Sequence, residues 1–209
     1  MSWHETFAVH PTEWLLVLFT LILAVFTGLL YFATRDLVRG AEDTAKKQLR
    51  AYLAIEPSAI NNFAPNFKTG VTLNFKNFGL TPAYEVRVEK YIAIQPYPFP
   101  DSEAFPNIAQ YSGVATIYPN SSTISAYVEM GQPLRENDIS AILDGNKYRL
   151  YVAGVVRYKD IFGFAHCTRF LANTGGPKFV ESIKTANKTG NSNVFWEYTN
   201  KYNDADKCQ

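Results

Sequence analysis

The sequence predicts a mainly β protein in which an N-terminal transmembrane α-helix precedes an antiparallel, immunoglobulin-like β-sandwich. The first reason is an uncharged apolar run from Trp14 to Ala33, near the start of a chain of 209 residues. The second reason is that apolar and polar residues alternate in many segments after residue 51, which is the period of a strand. The third is that glycine, proline and asparagine separate these segments at short intervals, as they do in sandwiches.

These observations divide the chain into five segments. They are a short tail (1–13), the transmembrane helix (14–33), a juxtamembrane helix (34–50), the β-sandwich (51–172) and a C-terminal extension (173–209).

The apolar run has the length and composition of a membrane span. At ~1.5 Å per residue, about 20 helical residues cross the ~30 Å hydrocarbon core of a bilayer. A buried helix of a soluble protein would carry a polar stripe, which this segment lacks. A cleaved signal peptide would need basic residues before the run, and residues 1–13 contain no Lys or Arg. We therefore predict that residues 14–33 contact the lipid bilayer.

Charge around the span predicts its orientation. The tail before it carries Glu5 and Glu13, whereas the stretch after it is rich in basic residues, namely Arg35, Arg39, Lys46, Lys47 and Arg50. Basic residues stay on the cytoplasmic side of a membrane, so the rule places the tail outside and the large domain in the cytoplasm. Acidic residues among the basic ones dilute the patch, and a periplasmic domain stays open as the alternative.

The predicted helix continues beyond the membrane through residues 34–50, where apolar side chains at spacings of three and four share one face. Within the span, Thr20, Ala24 and Gly28 stand four residues apart, and small residues at this spacing let two helices approach closely. The pattern raises the hypothesis of a weak homodimer. The alternative is that such residues are simply common in membrane helices.

Seven segments have the pattern of strands. The clearest is 84–94, in which Val86, Val88 and Ile92 face one way while Glu85 and Arg87 face the other. The others are 51–56, 71–77, 115–119, 122–130, 147–160 and 162–172. A short helix is predicted to begin near residue 135 and to end at residue 145. A barrel remains an alternative to the sandwich, because alternation determines the faces of a sheet and not its closure.

The long loop between two of these strands is rich in aromatic residues. Residues 95–112 have no period and contain several prolines, and they carry Tyr97, Phe99, Phe105 and Tyr111. Aromatic side chains exposed among prolines suit contact with a protein or carbohydrate partner. Equally, they suit a cover that folds back over the sandwich.

Composition excludes several classes of function. A formal net charge of +1 gives no clustered basic surface, so we expect no nucleic-acid partner. Two cysteines, Cys167 and Cys208, are too few for a structural zinc site without histidines, and His4 and His10 precede the span while His166 follows it. In an oxidising compartment the cysteines would pair, and in the cytoplasm they would be thiols. We expect no metal and no cofactor.

Two motifs carry the remaining polar residues of interest. Asn77 to Ala83 has the composition of a turn between strands, with Pro82 at a sheet edge. Tyr158, Asp160 and His166 flank one hairpin, and their side chains are candidates for partner binding at its tip. One histidine and one aspartate provide no nucleophile, and no Gly-x-Ser-x-Gly or phosphate-binding glycine loop is present. We therefore expect no catalytic residue.

The motifs together resemble a group of uncharacterised bacterial membrane proteins. They are Arg50-Ala51-Tyr52 directly after a membrane helix, the Asn-Phe-Gly-Leu-Thr-Pro-Ala turn at 77–83, and Tyr-Lys-Asp-Ile-Phe-Gly at 158–163 followed by His166, Thr168 and Phe170. The similarity covers about residues 15–171, apart from the 95–112 loop. The resemblance implies a single-pass protein of the bacterial inner membrane with a β-sandwich, and it brings no known activity and no assigned site.

These observations favour one function class over two others. The preferred hypothesis is a membrane-anchored, non-catalytic interaction or scaffolding module that binds a protein partner. The alternative is an extracytoplasmic domain that binds an envelope component such as a glycan, which requires the opposite orientation. An enzyme comes third, because acid–base or nucleophilic chemistry needs a converging set of residues that the sequence does not offer.

Overall fold

The computed structural model describes residues 11–100, 106, 110–111, 113–120, 124–189 and 193–206. The chain forms two units, Met1–Gln48 and Leu49–Gln209. The first contains one continuous helix, α1 (Pro11–Leu49), which includes both the predicted membrane span and the predicted juxtamembrane helix. Among the described residues, α1 is the one helix that is long and apolar enough to cross a membrane.

The two threonines inside the span satisfy their own hydroxyl groups. Thr20 donates a hydrogen bond to the carbonyl of Leu16, and Thr27 donates one to the carbonyl of Leu23, both at 2.7 Å. A hydroxyl that bonds back to its own helix adds little to the cost of placing the helix in lipid. The homodimer through Thr20, Ala24 and Gly28 stays a prediction.

Two antiparallel sheets form the second unit. The smaller sheet contains β1 (Leu53–Asn61), β2 (Gly70–Asn77) and β6 (Ile124–Glu129), in the order β1-β2-β6. The larger contains β3 (Ala83–Pro96), β4 (Gln110–Tyr111), β5 (Ala115–Ile117), β7 (Tyr148–Lys159), β8 (Ala165–Thr174) and β9 (Glu197–Tyr198). Its order is β4-β3-β7-β8-β9, and β5 also pairs with β3. The prediction of a mainly β protein behind an apolar N-terminal helix is confirmed.

The main core lies between the two sheets. Leu73 and Val128 from the smaller sheet pack in the same buried cluster as Val152 and Phe170 from the larger one. Because side chains alternate along a strand, the other residues of β7 lie on the opposite face of the larger sheet. There Tyr151 belongs to a separate small apolar cluster. We call this second surface the outer face.

Two helices close one end of the main core. α2 (Glu136–Asp144) buries Ile142, and α3 (Gly176–Thr189) belongs to the same cluster through Phe179. α2 ends at Gly145, whose φ of 67° is left-handed, as the sequence predicts for its stop. The segment 178–186, for which the sequence allows a strand or a helical turn, lies within α3.

The C-terminal segment extends the larger sheet along the free edge of β8. β9 pairs with the end of β8, and the chain then continues beside the strand. The amide of Arg169 donates to the carbonyl of Asp204 at 2.9 Å, and the amide of Asp206 donates to the carbonyl of Cys167 at 2.7 Å. The described part of the predicted extension is therefore integrated with the sandwich through backbone hydrogen bonds.

Lys90 interrupts the apolar face of the predicted strand 84–94, and such an interruption predicts a bulge or a sheet edge. In the structure Lys90 lies inside the sandwich. Its ammonium group donates to the carbonyl of Tyr127 on the opposite sheet at 2.8 Å, and burial lowers the pKa of the lysine. The irregularity of β3 is found instead between Tyr84 and Arg87, where Glu85 has a left-handed φ of 50°.

Candidate functional site

Asp160 organises the turn between β7 and β8. Its side chain is buried, and its Oδ1 accepts hydrogen bonds from the amides of Phe162 at 2.9 Å and Phe164 at 3.0 Å. Its Oδ2 lies 2.8 Å from Nε2 of His166. One carboxylate therefore has two roles. Its Oδ1 holds two amides of the turn, and its Oδ2 orients the ring of His166.

The network continues from His166 to the residue that follows α1. Nδ1 of His166 lies 3.1 Å from Oδ1 of Asp206, and the guanidinium of Arg50 donates to Oδ2 of Asp206 at 2.8 Å. Burial acts to raise the pKa of Asp206, but the hydrogen bond with His166 and the charge of Arg50 outweigh it, and the pKa is lowered. The arrangement connects the hairpin, the C-terminal segment and the start of the sandwich.

Tyr158 also connects the hairpin to the start of the sandwich. It is buried, its hydroxyl donates to the carbonyl of Ala51 at 3.2 Å, and its ring lies 5.5 Å from the ring of His166. Burial raises the pKa of this phenol. The predicted candidates Tyr158, Asp160 and His166 thus come together, with their polar atoms engaged in the fold.

The turn at 77–83 packs against the same segment. Oδ1 of Asn77 accepts from the amides of Gly79 at 2.9 Å and Tyr52 at 3.2 Å, while its amide group donates to the carbonyls of Thr81 and Ile117. Gly79 does not have the left-handed φ that its place in a turn suggests. A Cβ there would lie 2.3 Å from the carbonyl oxygen of Arg50, so the position requires glycine for close approach.

The three motifs therefore meet at one end of the sandwich, which we call the motif end (residues 50–52, 77–83 and 158–166). Most of the hydrogen bonds at the motif end join a side chain to the backbone. Such bonds hold neighbouring segments of the fold together. Within the described ranges, no group of three or more His, Cys, Asp or Glu side chains is placed to hold a metal ion.

The tip of the hairpin carries exposed apolar side chains. Ile161 is 51% exposed, Phe162 39% and Phe164 57%. A groove of about 750 Å³ adjoins the tip on the outer face, and it is lined by Phe164 together with charged residues, namely Glu85, Arg87, Arg157, Lys159 and Asp206. Ion pairs along it join Lys159 to Glu85 at 2.8 Å and Arg157 to Glu89 at 3.3 Å. We call Ile161, Phe162 and Phe164 the hairpin tip.

A second cavity lies toward the other end of the outer face. It has a volume of about 220 Å³ and is lined by Tyr97, Pro98, Phe99, Tyr151, Asn173, Glu197, Tyr198, Thr199, Asn200 and Lys201. The rings of Phe99 and Tyr151 are 5.4 Å apart, and the guanidinium of Arg149 stacks 3.4 Å from the ring centre of Tyr97. We call this cavity the aromatic pocket.

The structure describes three of the four aromatic candidates of the 95–112 loop. Tyr97 and Phe99 are half-buried and pack on the outer face, as expected for a cover over the sandwich. Tyr111 occupies a position in β4 opposite Glu89 of β3. Phe105 lies outside the described residues.

Cys167 lines the charged groove. Cys167, on β8, is disulfide-bonded and is not a free thiol. Cys208, the other cysteine of the sequence, lies outside the described residues. A disulfide removes the thiolate that a nucleophilic or metal-binding cysteine would need.

Comparison with known families gives one match over most of the chain. A family model described as "Domain of unknown function (DUF8453)" matches residues 14–178. The chain belongs to this family. No curated protein and no solved structure matches the chain. The DUF8453 match includes α1 from residue 14 onward, the motif end and three residues of the aromatic pocket, namely Tyr97, Phe99 and Tyr151. It ends before Glu197 and Asp206.

Sequence reasoning missed three of the residues that organise these sites. Tyr151 has a detectable signal, because it is an aromatic residue on the face of its strand opposite to Leu150 and Val152. Arg149 and Asp206 have none, since the partners that define their roles are distant in sequence, at Tyr97, Glu197 and His166.

Proposed function

We propose that this protein is a membrane-anchored, non-catalytic interaction module that contacts a protein partner through the hairpin tip. The observation that carries the proposal is the exposure of Ile161, Phe162 and Phe164 on a turn that the buried Asp160 holds in one conformation. Apolar and aromatic side chains at the centre of a contact provide most of its binding energy. A turn that is ordered before binding loses less conformational entropy on association.

The charged groove beside the tip supports a protein as the partner. Protein interfaces combine an apolar centre with a polar, solvent-accessible rim in which arginine is common. Arg87 and Arg157 line the groove next to Phe164, and acidic residues balance them. Such a mixed rim favours a partner with charges of both signs over a nucleic acid, which needs a predominantly basic surface.

The bonding of the polar candidates supports a non-catalytic role. Asp160 uses one carboxylate oxygen within the turn and the other beside His166 of β8, and both ring nitrogens of His166 lie beside carboxylates. A general base must be able to reach the proton that it abstracts, and these groups are instead committed to holding the hairpin.

The strand order supports the finer prediction of an immunoglobulin-like sandwich. In that fold, strands A, B and E share one sheet while C, F and G share the other. Here the first, second and sixth strands form one sheet, and the third, seventh and eighth are neighbours in the other. Domains of this architecture bind partners through the loops that connect their strands, and the hairpin tip is such a loop.

The charge distribution supports a single-pass arrangement in the bacterial inner membrane with the domain in the cytoplasm. Basic residues follow the span and are absent from residues 1–13. The positive-inside rule then keeps the C-terminal side of α1 in the cytoplasm.

A second candidate is an extracytoplasmic binding domain, and the disulfide of Cys167 favours it. Disulfides persist in oxidising compartments such as the periplasm and are reduced in the cytoplasm. In this orientation the exposed surfaces of the sandwich would face the components of the cell envelope.

Photocross-linking tests the preferred function. A photoreactive phenylalanine analogue is placed at Phe164 in the full-length protein in its native membrane, with Phe67 as the matched control. The two side chains are equally exposed, at 57% each. We expect a discrete protein adduct from position 164 that is absent from position 67. Identical products from both positions, adducts with lipid alone, or no adduct at position 164 would refute the hairpin tip as a protein-binding surface.

Protease treatment of spheroplasts distinguishes the two orientations. Protection of the domain until the membrane is lysed supports the cytoplasmic assignment. Digestion from outside, together with a gel shift of Cys167 by a thiol reagent that requires prior reduction, supports the extracytoplasmic candidate.

A further inference from the structure

The aromatic pocket contains a buried polar group that the fold does not satisfy. Tyr151 has no exposed surface, and among the residues that the structure describes its hydroxyl has no hydrogen-bond partner. Burial raises the pKa of this phenol to about 12. Proteins rarely bury a hydroxyl without a partner, because the lost hydration costs about 1–3 kcal/mol. The group therefore needs an explanation that the packing of the sandwich does not provide.

Tyr151 is one of the residues that line the aromatic pocket. The side chains whose charges act on its hydroxyl include Tyr97 and Glu197, and both of these line the aromatic pocket. A molecule in the pocket would thus lie against Tyr151 together with the ring of Phe99.

The other polar groups at this pocket are already organised. Arg149 donates to Glu197 at 2.7 Å and to Asn173 at 3.0 Å, and the amide group of Asn173 donates to the carbonyl of residue 197 at 3.2 Å. The charge of Glu197 is therefore balanced within the wall. An ion would gain little at such a site, whereas a neutral polar ligand would not disturb the pair.

We propose that the aromatic pocket binds one neutral ring that carries hydroxyl groups, as in a single sugar unit. The aromatic walls, Tyr97, Phe99 and Tyr198, offer flat apolar surfaces to the C–H face of such a ring. Its hydroxyls provide the donor and acceptor that Tyr151 lacks. The volume of about 220 Å³ lies below the ~300–1,000 Å³ of sites for drug-sized ligands and limits the occupant to about one ring.

This binding site is separate from the hairpin tip. Its residues come from β7, β8, β9 and the two segments that cover the outer face, and none of them lines the charged groove. The inference therefore does not rest on the proposed protein partner, and either one can fail while the other stands.

Saturation-transfer NMR on the full-length protein in lipid nanodiscs tests the inference, with no glycosidic detergent present. The probes are D-glucose and D-mannitol, because mannitol has similar hydroxyls and no ring face. We expect transfer to the ring protons of glucose and much less to mannitol. Tyr151→Phe removes the hydroxyl alone and should weaken glucose binding about tenfold, which corresponds to one hydrogen bond of ~1.4 kcal/mol. Tyr127→Phe, on the smaller sheet, is the control and should leave binding unchanged.

The unfolding temperature shows whether Tyr151→Phe is still folded. Because the hydroxyl of Tyr151 has no partner among the described residues, Tyr151→Phe should leave the unfolding temperature unchanged or raise it. Weaker glucose binding in a variant of equal or greater stability supports the site. Equal transfer to glucose and mannitol, no transfer to glucose, or unchanged glucose binding in Tyr151→Phe overturns it.

Discussion

Two buried tyrosines of β7 show how differently the two ends of the larger sheet use polar groups. Tyr158, at the motif end, donates its hydroxyl to the carbonyl of Ala51 within a network of satisfied groups. Tyr151, at the aromatic pocket, is equally part of the strand but has no partner for its hydroxyl in the described structure. The motif end is therefore a junction that stabilises the fold. The aromatic pocket instead contains a hydroxyl group for which we propose a ligand as the hydrogen-bond partner.

The motifs have a structural role at the motif end. The three segments that carry the family resemblance meet at the motif end, where they hold the first strand, a turn and a hairpin together. In the sequence, Tyr158, Asp160 and His166 are candidates for partner binding because they flank one hairpin. In the structure they act on the backbone, and the exposed hairpin tip depends on them for its conformation.

The largest expected effect comes from breaking the motif end at Asp160. Asp160→Ala removes the acceptor for two turn amides and the neighbour of His166, and it leaves partly buried donors without this partner. We expect the free energy of unfolding to fall by roughly 3 kcal/mol. Thermal unfolding of the full-length protein in micelles, followed by circular dichroism, measures the change.

Asp160→Asn is the matched control, because it keeps an oxygen that accepts from both amides. Its loss should be less than half of that in Asp160→Ala. Equal stability of the wild type and Asp160→Ala would mean that the turn does not depend on this carboxylate.

Removing one hydroxyl from each tyrosine tests the comparison directly. Tyr158→Phe loses a hydrogen bond and leaves the carbonyl of Ala51 buried without it, which should cost about 1 kcal/mol. Tyr151→Phe removes a hydroxyl that has no partner in the described part of the chain, and it should stabilise the free protein by up to about 1 kcal/mol. The two substitutions make the same chemical change in one strand, so opposite signs in one unfolding assay would sharpen the contrast. Equal losses would eliminate it.

The regular parts of this fold were predictable because their signals are local. The alternation in β7 and β8, the turn around Asp160 and the stop of α2 at Gly145 are each determined by residues close to one another in sequence. The uncharged run in α1 is local as well. Such patterns indicate the face on which a side chain lies.

The parts that were not predictable depend on segments that are distant in the chain. β9 contains two residues and has no period, and it exists because the edge of β8 offers free backbone groups. Asp206 acquires its role from His166 and Arg50. Tyr151 becomes a candidate ligand-binding residue because residues 97–99 and 197–201 cover the outer face around it. The alternation of apolar and polar residues indicates the face of a side chain but not the segment that covers this face.

The smallest expected effect concerns the response of the motif end to acid. The folded state lowers the pKa of Asp206, so the unfolded chain binds a proton there more readily. The stabilisation is therefore present in full above the ordinary aspartate pKa of about 3.9 and is lost as the pH falls below it. Because the side chain is 38% exposed, solvent screening keeps the contribution below about 1 kcal/mol.

Asp206→Asn isolates this contribution. The wild type should be more stable than the variant at pH 7, and the difference should shrink toward zero at strongly acidic pH. The aromatic pocket provides the contrast, because the phenol of Tyr151 has a pKa of about 12 and does not titrate in this range. The stability difference between the wild type and Tyr151→Phe should therefore stay constant over the same pH interval. A difference for Asp206→Asn that is equally independent of pH would show that its contacts with His166 and Arg50 do not stabilise the charged carboxylate.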